Sequence, residues 1–473
     1  VRRIIAGVGV GVLALAGGYL YLDAQDVVPG FLTAEPADVP QAPFITQAPV
    51  AAATVQGDDA AATLSSDAPR PSASEVQELA EALRADDRTG TSTNVSVVDY
   101  LDGTVYADLS ASDPQVPAST TKLITAIAAV SELGADFTTQ TTVTWDRSTR
   151  TLTLVAGGDS MLAADEGHHG DVEDAEDAAN GWAGLGDLAD QVLEELGEDG
   201  RAVKVRVDDS DFPGPAWPKQ WPDYAFTMGY AAPVTGLAVN GGRLTDGNYV
   251  ARASDPSLHA GELFVEALEK RGLRVQGDVS HASSAAKAVE VASVDSAPLS
   301  EVARHLLSVS DNTVAEQVAR VLALESGYRA TPAGEAKALA AALDALGVTT
   351  AGLELYDGAG FSDRNQISPA TMTSALLAAR DEPSLEGLLD WLPLAGLEGT
   401  VETRYDGLPP AGYWRAKTGS LTGVTAIAGV LVTADGRPLA VALLADGMPY
   451  GQANPIAAFD DFLGALAECG CEG

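Results

Sequence analysis

Apolar residues recur at helical spacing first in Ser74 to Leu83, where Val76, Leu79 and Leu83 share a face, and again after Pro117 in Leu123, Ile124, Ile127, Val130 and Leu133. The runs Thr93 to Val98 and Thr142 to Val155 read instead as strands, and Leu185 to Leu196 as an amphipathic stretch. Further along, Pro298 to Ser308 and Thr313 to Leu324 predict two helices joined by a short polar turn, so that Ser310, Asp311 and Asn312 stand at its tip. Gly334 to Leu346 predicts another helix. Near the end, Val424 to Thr433 and Pro438 to Ala445 flank an Ala434-Asp435-Gly436-Arg437 turn, a β-hairpin pattern. Asn454 as a cap, with Pro455 at the first helical position, opens a last helix through Phe459, Phe462, Leu463 and Leu466.

The start of the chain has a different texture. Arg2 and Arg3 precede an uncharged run from Ile4 to Leu22, close to the roughly 20 residues that cross a bilayer as a helix, and the two arginines place that end in the cytoplasm. Residues 1–22 therefore read as a membrane anchor, the competing reading being a signal peptide cut near Ala14-Leu15-Ala16. Residues 23–74 are rich in Ala, Pro, Thr and Asp without apolar period and read as a flexible tether. Either way the rest of the chain is expected outside the cytoplasm.

Composition narrows the function. The 473 residues carry 67 Asp and Glu against 28 Lys and Arg, a formal charge of −39, which repels phosphate backbones and excludes nucleic acid as a partner. A 46% hydrophobic content argues for a folded interior rather than an acidic disordered chain. Only Cys469 and Cys471 are present, at the extreme C-terminus, so no disulfide framework or thiolate metal site organises the fold. The five histidines fall in no motif. His168 and His169 adjoin the acidic stretch between Asp165 and Gly200, which reads as a solvated loop, with a cation site as the alternative. No metal and no cofactor is expected.

Three short motifs carry chemistry. Ser119-Thr120-Thr121-Lys122 opens a helix, where residues three apart share a face, so a hydroxyl nucleophile and an amine base can meet if the amine is kept partly unprotonated. Ser310-Asp311-Asn312 adds a second hydroxyl and a carboxamide; alone, the pattern is equally an N-cap turn. Lys417-Thr418-Gly419-Ser420 enters the hairpin strand with a cation for a carboxylate, a glycine for close backbone approach and an N–H for an oxyanion. Together, in this order, they form the SxxK, SxN and KTG set of penicillin-binding proteins and β-lactamases.

On these motifs the chain resembles the penicillin-recognising serine D,D-peptidases and, within them, the class C family of penicillin-binding protein 4. The narrower resemblance rests on the interval from Ser119 to Ser310, much longer than that from Ser310 to Lys417, and on further blocks: Gly157-Gly158-Asp159, Asp208 to Phe212 followed by Trp217, Ala238-Val239-Asn240, Asp357-Gly358-Ala359-Gly360, and Leu392 to Gly396 with Gly399, Thr400 and Arg404. The resemblance implies a mixed α/β peptidase fold, an antiparallel sheet flanked by helices, formed by residues 75–141 and 295–468 and interrupted by smaller inserted domains over 142–294. It implies hydrolysis of D-alanyl-D-alanine bonds in peptidoglycan stem peptides, by carboxypeptidase or endopeptidase action, with β-lactams as covalent inhibitors. Ser119 would be acylated, Lys122 would be its base, Ser310 would pass the proton to the leaving amine and Asn312 would hold the peptide carbonyl. Lys417 and Thr418 would bind the terminal carboxylate, Gly419 would let the strand approach, and the N–H groups of Ser119 and Ser420 would hold the oxyanion. Asp208 and an arginine after the Asp357 block would recognise the peptide side chain, although Asp363 stands where the family has that arginine and Arg364 follows one position later. Two lysines in one cleft should depress each other's pKa. A β-lactamase and an inert wall-binding scaffold are the other readings of the same fold.

Overall fold

The structure is a computed structural model that describes residues 67–89, 92–172, 178–197, 201–405, 410–448 and 453–468. The expected membrane helix, most of the tether and both cysteines lie outside the described residues. The strands are β1 (Ser92–Asp99), β2 (Val105–Leu109), β3 (Gln140–Asp146), β4 (Thr151–Val155), β5 (Lys204–Asp208), β6 (Ser280–His281), β7 (Val289–Asp295), β8 (Trp414–Leu421), β9 (Val424–Val432) and β10 (Pro438–Asp446). The longer helices are α1 (Ala73–Arg84), α2 (Thr121–Leu133), α3 (Leu185–Leu196), α4 (Pro256–Lys270), α5 (Leu299–Ser308), α6 (Asn312–Glu325), α7 (Pro332–Ala345), α8 (Pro369–Asp381) and α9 (Ala453–Glu468). Because α9 starts at Ala453, Asn454 lies inside its first turn rather than capping it.

The first sheet runs β2-β1-β10-β9-β8 and is antiparallel throughout. Its central strands are buried along their whole length because both faces are covered, which is why β9 and β10 read as nearly continuous apolar runs. On one face Ala426, Ala428, Val430, Ala440, Ala442 and Leu444 meet α2 and the helices α5 to α8 around it. On the other, Ile427, Leu431, Leu439, Val441 and Leu443 meet α1 and α9. The alanine-rich face carries α8 directly, and α2, which meets the sheet at the edge strand β8, is enclosed by the helices around it: every residue from Thr121 to Val130 is buried. A helix covered on all sides needs apolar residues all round, which Leu123, Ile124, Ala126, Ile127, Ala128, Ala129 and Val130 supply.

A second, mixed sheet ordered β6-β5-β4-β3-β7 is built from chain between α2 and α5. Its β3–β4 and β3–β7 pairs are antiparallel, while β4–β5 and β5–β6 are parallel. The single strand expected over Thr142 to Val155 is in fact the β3–β4 hairpin. Asp146 breaks it by accepting from Ser148 N at 2.8 Å and from the hydroxyls of Ser148 and Thr149, and Arg150 takes a positive φ of 53°. Helices α3 and α4 cover this sheet through Leu185, Leu188, Val192, Phe264 and Leu268.

The close packing of helices on the alanine face yields a stability prediction. Ala428→Leu should destabilise the protein by about 1–3 kcal/mol through overpacking, read as a lower urea midpoint with unchanged slope.

Candidate active site

Ser119 stands in a short turn, Ala118–Thr120, that leads into α2. The turn is tied by Thr120 Oγ1 donating to Pro117 O at 2.6 Å and Thr121 Oγ1 donating to Ala118 O at 2.9 Å, and Ala118 sits at φ 48°. Such left-handed backbone at a non-glycine residue persists only where surrounding contacts enforce it. One turn on, Lys122 is completely buried. Its Nζ reaches Ser119 Oγ at 2.9 Å, Asn312 Oδ1 at 2.7 Å and Ala359 O at 2.5 Å. Burial pushes its pKa down to about 7 against the pull of Asp357, Asp311 and Glu316 in the other direction. The hydroxyl and amine of the first motif thus meet, with the amine poised to act as a base near neutrality.

The second motif lies at the corner between α5 and α6. Asp311 is the N-cap of α6, accepting from Thr313 N at 2.9 Å and Val314 N at 3.0 Å, as the cap reading expects. Its neighbours are freed for the cleft: Ser310 adopts φ 60° and lines it, and Asn312 donates through Nδ2 to Tyr230 O at 3.0 Å while its Oδ1 faces Lys122. Burial works against the Asp311 charge, yet His305, Arg243 and Arg252 hold its carboxyl well below the usual carboxylate range. Arg243 Nη2 lies 2.7 Å from it.

The third motif is the edge strand β8. Gly419 faces the Ser119 turn so closely that a Cβ there would fall 2.6 Å from Pro117 O and 3.1 Å from Ser119 N. Thr418 and Ser420 line the cleft, and Thr418 Oγ1 donates to Thr400 Oγ1 at 2.9 Å. Lys417 is fully buried and points its Nζ at Thr418 O, 2.9 Å away. Burial and then the charge of Lys122 hold Lys417 well below the ordinary lysine range. Both amines are thus lowered, Lys122 chiefly by burial and Lys417 by burial and by the neighbouring Lys122 charge.

These residues share a cleft of about 710 Å³ lined by Ser119, Ser310, Asn312, Thr418 and Ser420 on one side. Further lining comes from chain between α2 and α5: Tyr224, Tyr230, Tyr249, Arg243 and Arg252. Two expected residues are not brought here. Asp208, at the end of β5, is spent on structure: one carboxylate oxygen accepts from Ser210 N and Oγ, the other from Ser284 N at 2.6 Å. Arg364 stacks on the Tyr356 ring, 4.1 Å from its centroid, and donates to Tyr356 Oη at 2.9 Å. Among the described residues no group of three His, Cys, Asp or Glu is placed to hold a metal ion. His168 instead meets Gly170 N and Asn180 O, and His169 pairs with Asp187.

Sequence reasoning passed over Arg243, Arg252 and the three tyrosines, whose only signal was scattered polarity within the insertion. It saw the Asp357-Gly358-Ala359-Gly360 block without its purpose. Gly360, at φ 77°, packs under the nucleophile turn, where a Cβ would fall 1.9 Å from Ala118 O.

With this geometry in hand, comparison with known proteins is informative. The sequence pattern of the D-Ala-D-Ala carboxypeptidase 3 (S13) family matches residues 75–253 and 246–466. The chain is 34% identical over 367 residues to the carboxypeptidase DacB of Mycolicibacterium smegmatis, covering 76% of each chain. It is 32% identical over 415 residues to a carboxypeptidase of Mycobacterium tuberculosis, covering 85% of each. In fold it is similar to the crystal structure of penicillin binding protein 4 (dacB) from Haemophilus influenzae, with TM-score 0.67 and 20% identity over 82% of this chain and 99% of that one.

The tight approach under the turn is testable. Gly360→Ala must shift the Ser119 turn or its own loop, and a displacement of that size at a reacting hydroxyl should slow acylation of Ser119 by an activated acyl ester by at least about tenfold, measured by stopped-flow release of the leaving group.

Proposed function

The chain belongs to the D-Ala-D-Ala carboxypeptidase 3 (S13) family and is a serine-type D-alanyl-D-alanine carboxypeptidase, and from that premise we propose how its residues divide the work. The observation that carries the assignment is the buried Lys122 amine 2.9 Å from Ser119 Oγ. Neutral Lys122 takes the Ser119 proton as Oγ attacks the carbonyl carbon of the penultimate D-alanine. The resulting oxyanion is held by the backbone N–H groups of Ser119 and Ser420, both on the cleft wall. Ser310 gives its proton to the amine of the departing D-alanine as the C–N bond breaks and takes in its place the proton that Lys122 had received from Ser119, which returns Lys122 to the neutral form, and Asn312 orients the peptide. Water then attacks the Ser119 ester, and its proton returns through the same amine to regenerate the hydroxyl. Thr418 at the surface and Lys417 beneath it receive the terminal carboxylate. An entering carboxylate adds a negative charge beside the Lys417 amine, which raises its proton affinity and draws it toward the cleft.

A β-lactam presents the same strained carbonyl to the same hydroxyl, and a structure of the Haemophilus influenzae relative is described as complexed with one. Benzylpenicillin is therefore expected to acylate Ser119. The intact Ser119–Lys122 pair and the family membership leave neither a β-lactamase nor an inert scaffold favoured. Peptidoglycan stem peptides lie outside the cytoplasmic membrane, so the Arg2-Arg3 and Ile4–Leu22 pattern supports an anchored, extracytoplasmic enzyme.

Two outcomes are expected. Incubated with benzylpenicillin, the full chain should gain the mass of one adduct, and Ser119→Ala should gain none and release D-alanine from a D-alanyl-D-alanine peptide at least about a thousandfold more slowly. D-alanine release persisting in Ser119→Ala would remove the nucleophile assignment. Because Lys122 must be unprotonated in the free enzyme, kcat/KM should rise with pH through an acid limb near its pKa of about 7 and flatten above it, as a pH profile of D-alanine release would show.

A further inference from the structure

A neutral amine has two N–H bonds and one lone pair. Of the three oxygens around Lys122 Nζ, Asn312 Oδ1 and Ala359 O can only accept, whereas Ser119 Oγ carries a proton to give. The two carbonyls therefore take up both N–H bonds of the neutral amine, and the lone pair is left facing Ser119. If either carbonyl turned away, the amine would rotate freely and the lone pair would spend its time elsewhere. The placement of the Ala359 carbonyl is thus as much a part of the base as the amine.

Ala359 lies in an irregular loop, and that loop is organised around one carboxylate. Asp357 Oδ1 accepts from Gly360 N at 2.6 Å, Phe361 N at 3.2 Å and Asn365 Nδ2 at 3.0 Å. Its Oδ2 accepts from Ser362 N at 2.6 Å and from Trp221 Nε1 at 2.9 Å. Upstream of Ala359, Gly358 N donates to Glu316 Oε2 at 2.9 Å and Gly358 O accepts from Thr125 Oγ1 at 2.6 Å. Asp357 is completely buried, and Trp221 belongs to the chain between α2 and α5. A carboxylate saturated by five donors in this way is fixed in place, and the loop with it.

We propose that Asp357, clipped by Trp221, is a positioning residue for the base: it holds the Ala359 carbonyl against Lys122 Nζ so that the amine lone pair is aimed at Ser119. The proposal rests on the assignment of Lys122 as base made above. It gives the inserted segment a stake in the chemistry, since one of the five donors that fix the loop comes from there. The charge of Asp357 has a second effect that separates positioning from mere folding. The charged groups facing Lys122 are Asp357, Asp311 and Glu316, which favour its protonated form, and Lys417, whose own pKa Lys122 depresses. Removing the Asp357 charge removes the strongest of the three acidic pulls, so Lys122 becomes unprotonated at lower pH even as its aim is lost.

The test is the rate of benzylpenicillin acylation of the full chain against pH, followed by mass spectrometry, for the wild type, Asp357→Asn and Trp221→Phe. Asp357→Asn should lower the plateau rate at least tenfold and move the acid limb down by about one pH unit. Trp221→Phe keeps the carboxylate, so its plateau should fall several-fold with the limb in place and with the drug concentration for half-saturation unchanged. A folded Asp357→Asn whose limb stays at the wild-type pH, or one acylated at the wild-type rate, overturns the proposal. Should Asp357→Asn fail to fold, a Trp221→Phe chain acylated at the wild-type rate overturns it instead. A wild-type chain that is never acylated would strike the Ser119 assignment itself and take the proposal down with it.

Discussion

The structure depends on the burial of one amine. Lys122 sits in the first turn of a helix enclosed on every side, where an ammonium ion loses its hydration and the neutral form gains by comparison. Everything around it follows from making that tolerable. The helices α5 to α8, of which α8 packs on the alanine face of the first sheet, seal α2, and three carboxylates at a distance keep the amine from being driven neutral altogether. A lysine one helical turn nearer the surface would be an ordinary cation and no base at all.

The second sheet answers a different need. The peptidase elements supply the reacting groups, but they form only one wall of the cleft. A second part of its lining, with its tyrosines and the Arg243 and Arg252 guanidiniums, is contributed by the insertion. Arg243 also binds Asp311, the residue that caps α6 between Ser310 and Asn312, so the wall and the second motif are joined by a buried ion pair. Breaking such a pair from one side would leave a charge without compensation, which makes the two halves of the cleft hard to separate.

Much of this was legible in the sequence because the chemistry depends on local spacing. Ser119 and Lys122 stand one turn apart, and Ser310 and Asn312 flank a capping residue; each is a relation within a few residues. The helices α2, α5, α6 and α7 and the β9–β10 hairpin were visible from period alone. What was hidden is what only the fold brings together. Asp208 and Arg364 looked available as charges, yet Ser284 and Tyr356, distant or unremarkable in the sequence, had already claimed them. Asp357 lay within a recognisable block, but its five donors come from a loop, an asparagine and a tryptophan more than a hundred positions upstream. The β3–β4 break was masked because the pattern Thr142 to Val155 stays β-prone across it, and the turn is made by side-chain hydrogen bonds of Asp146.

The pairing of β1 with β10 sets Ser92 opposite Asp446, near the two ends of the described chain. In a protein that emerges from the ribosome or the export channel from its N-terminus, the strand that must receive β1 arrives last, and such long-range pairing is slow to form. The turn and helix that carry Ser119 and Lys122 are made early but have no floor until β8 to β10 are present. The second sheet, whose strands are close neighbours along the chain, has the means to form in the interval. The cleft therefore comes into being only after β8 to β10 have been made, and a copy that stops short of them leaves Lys122 without the surroundings that bury it.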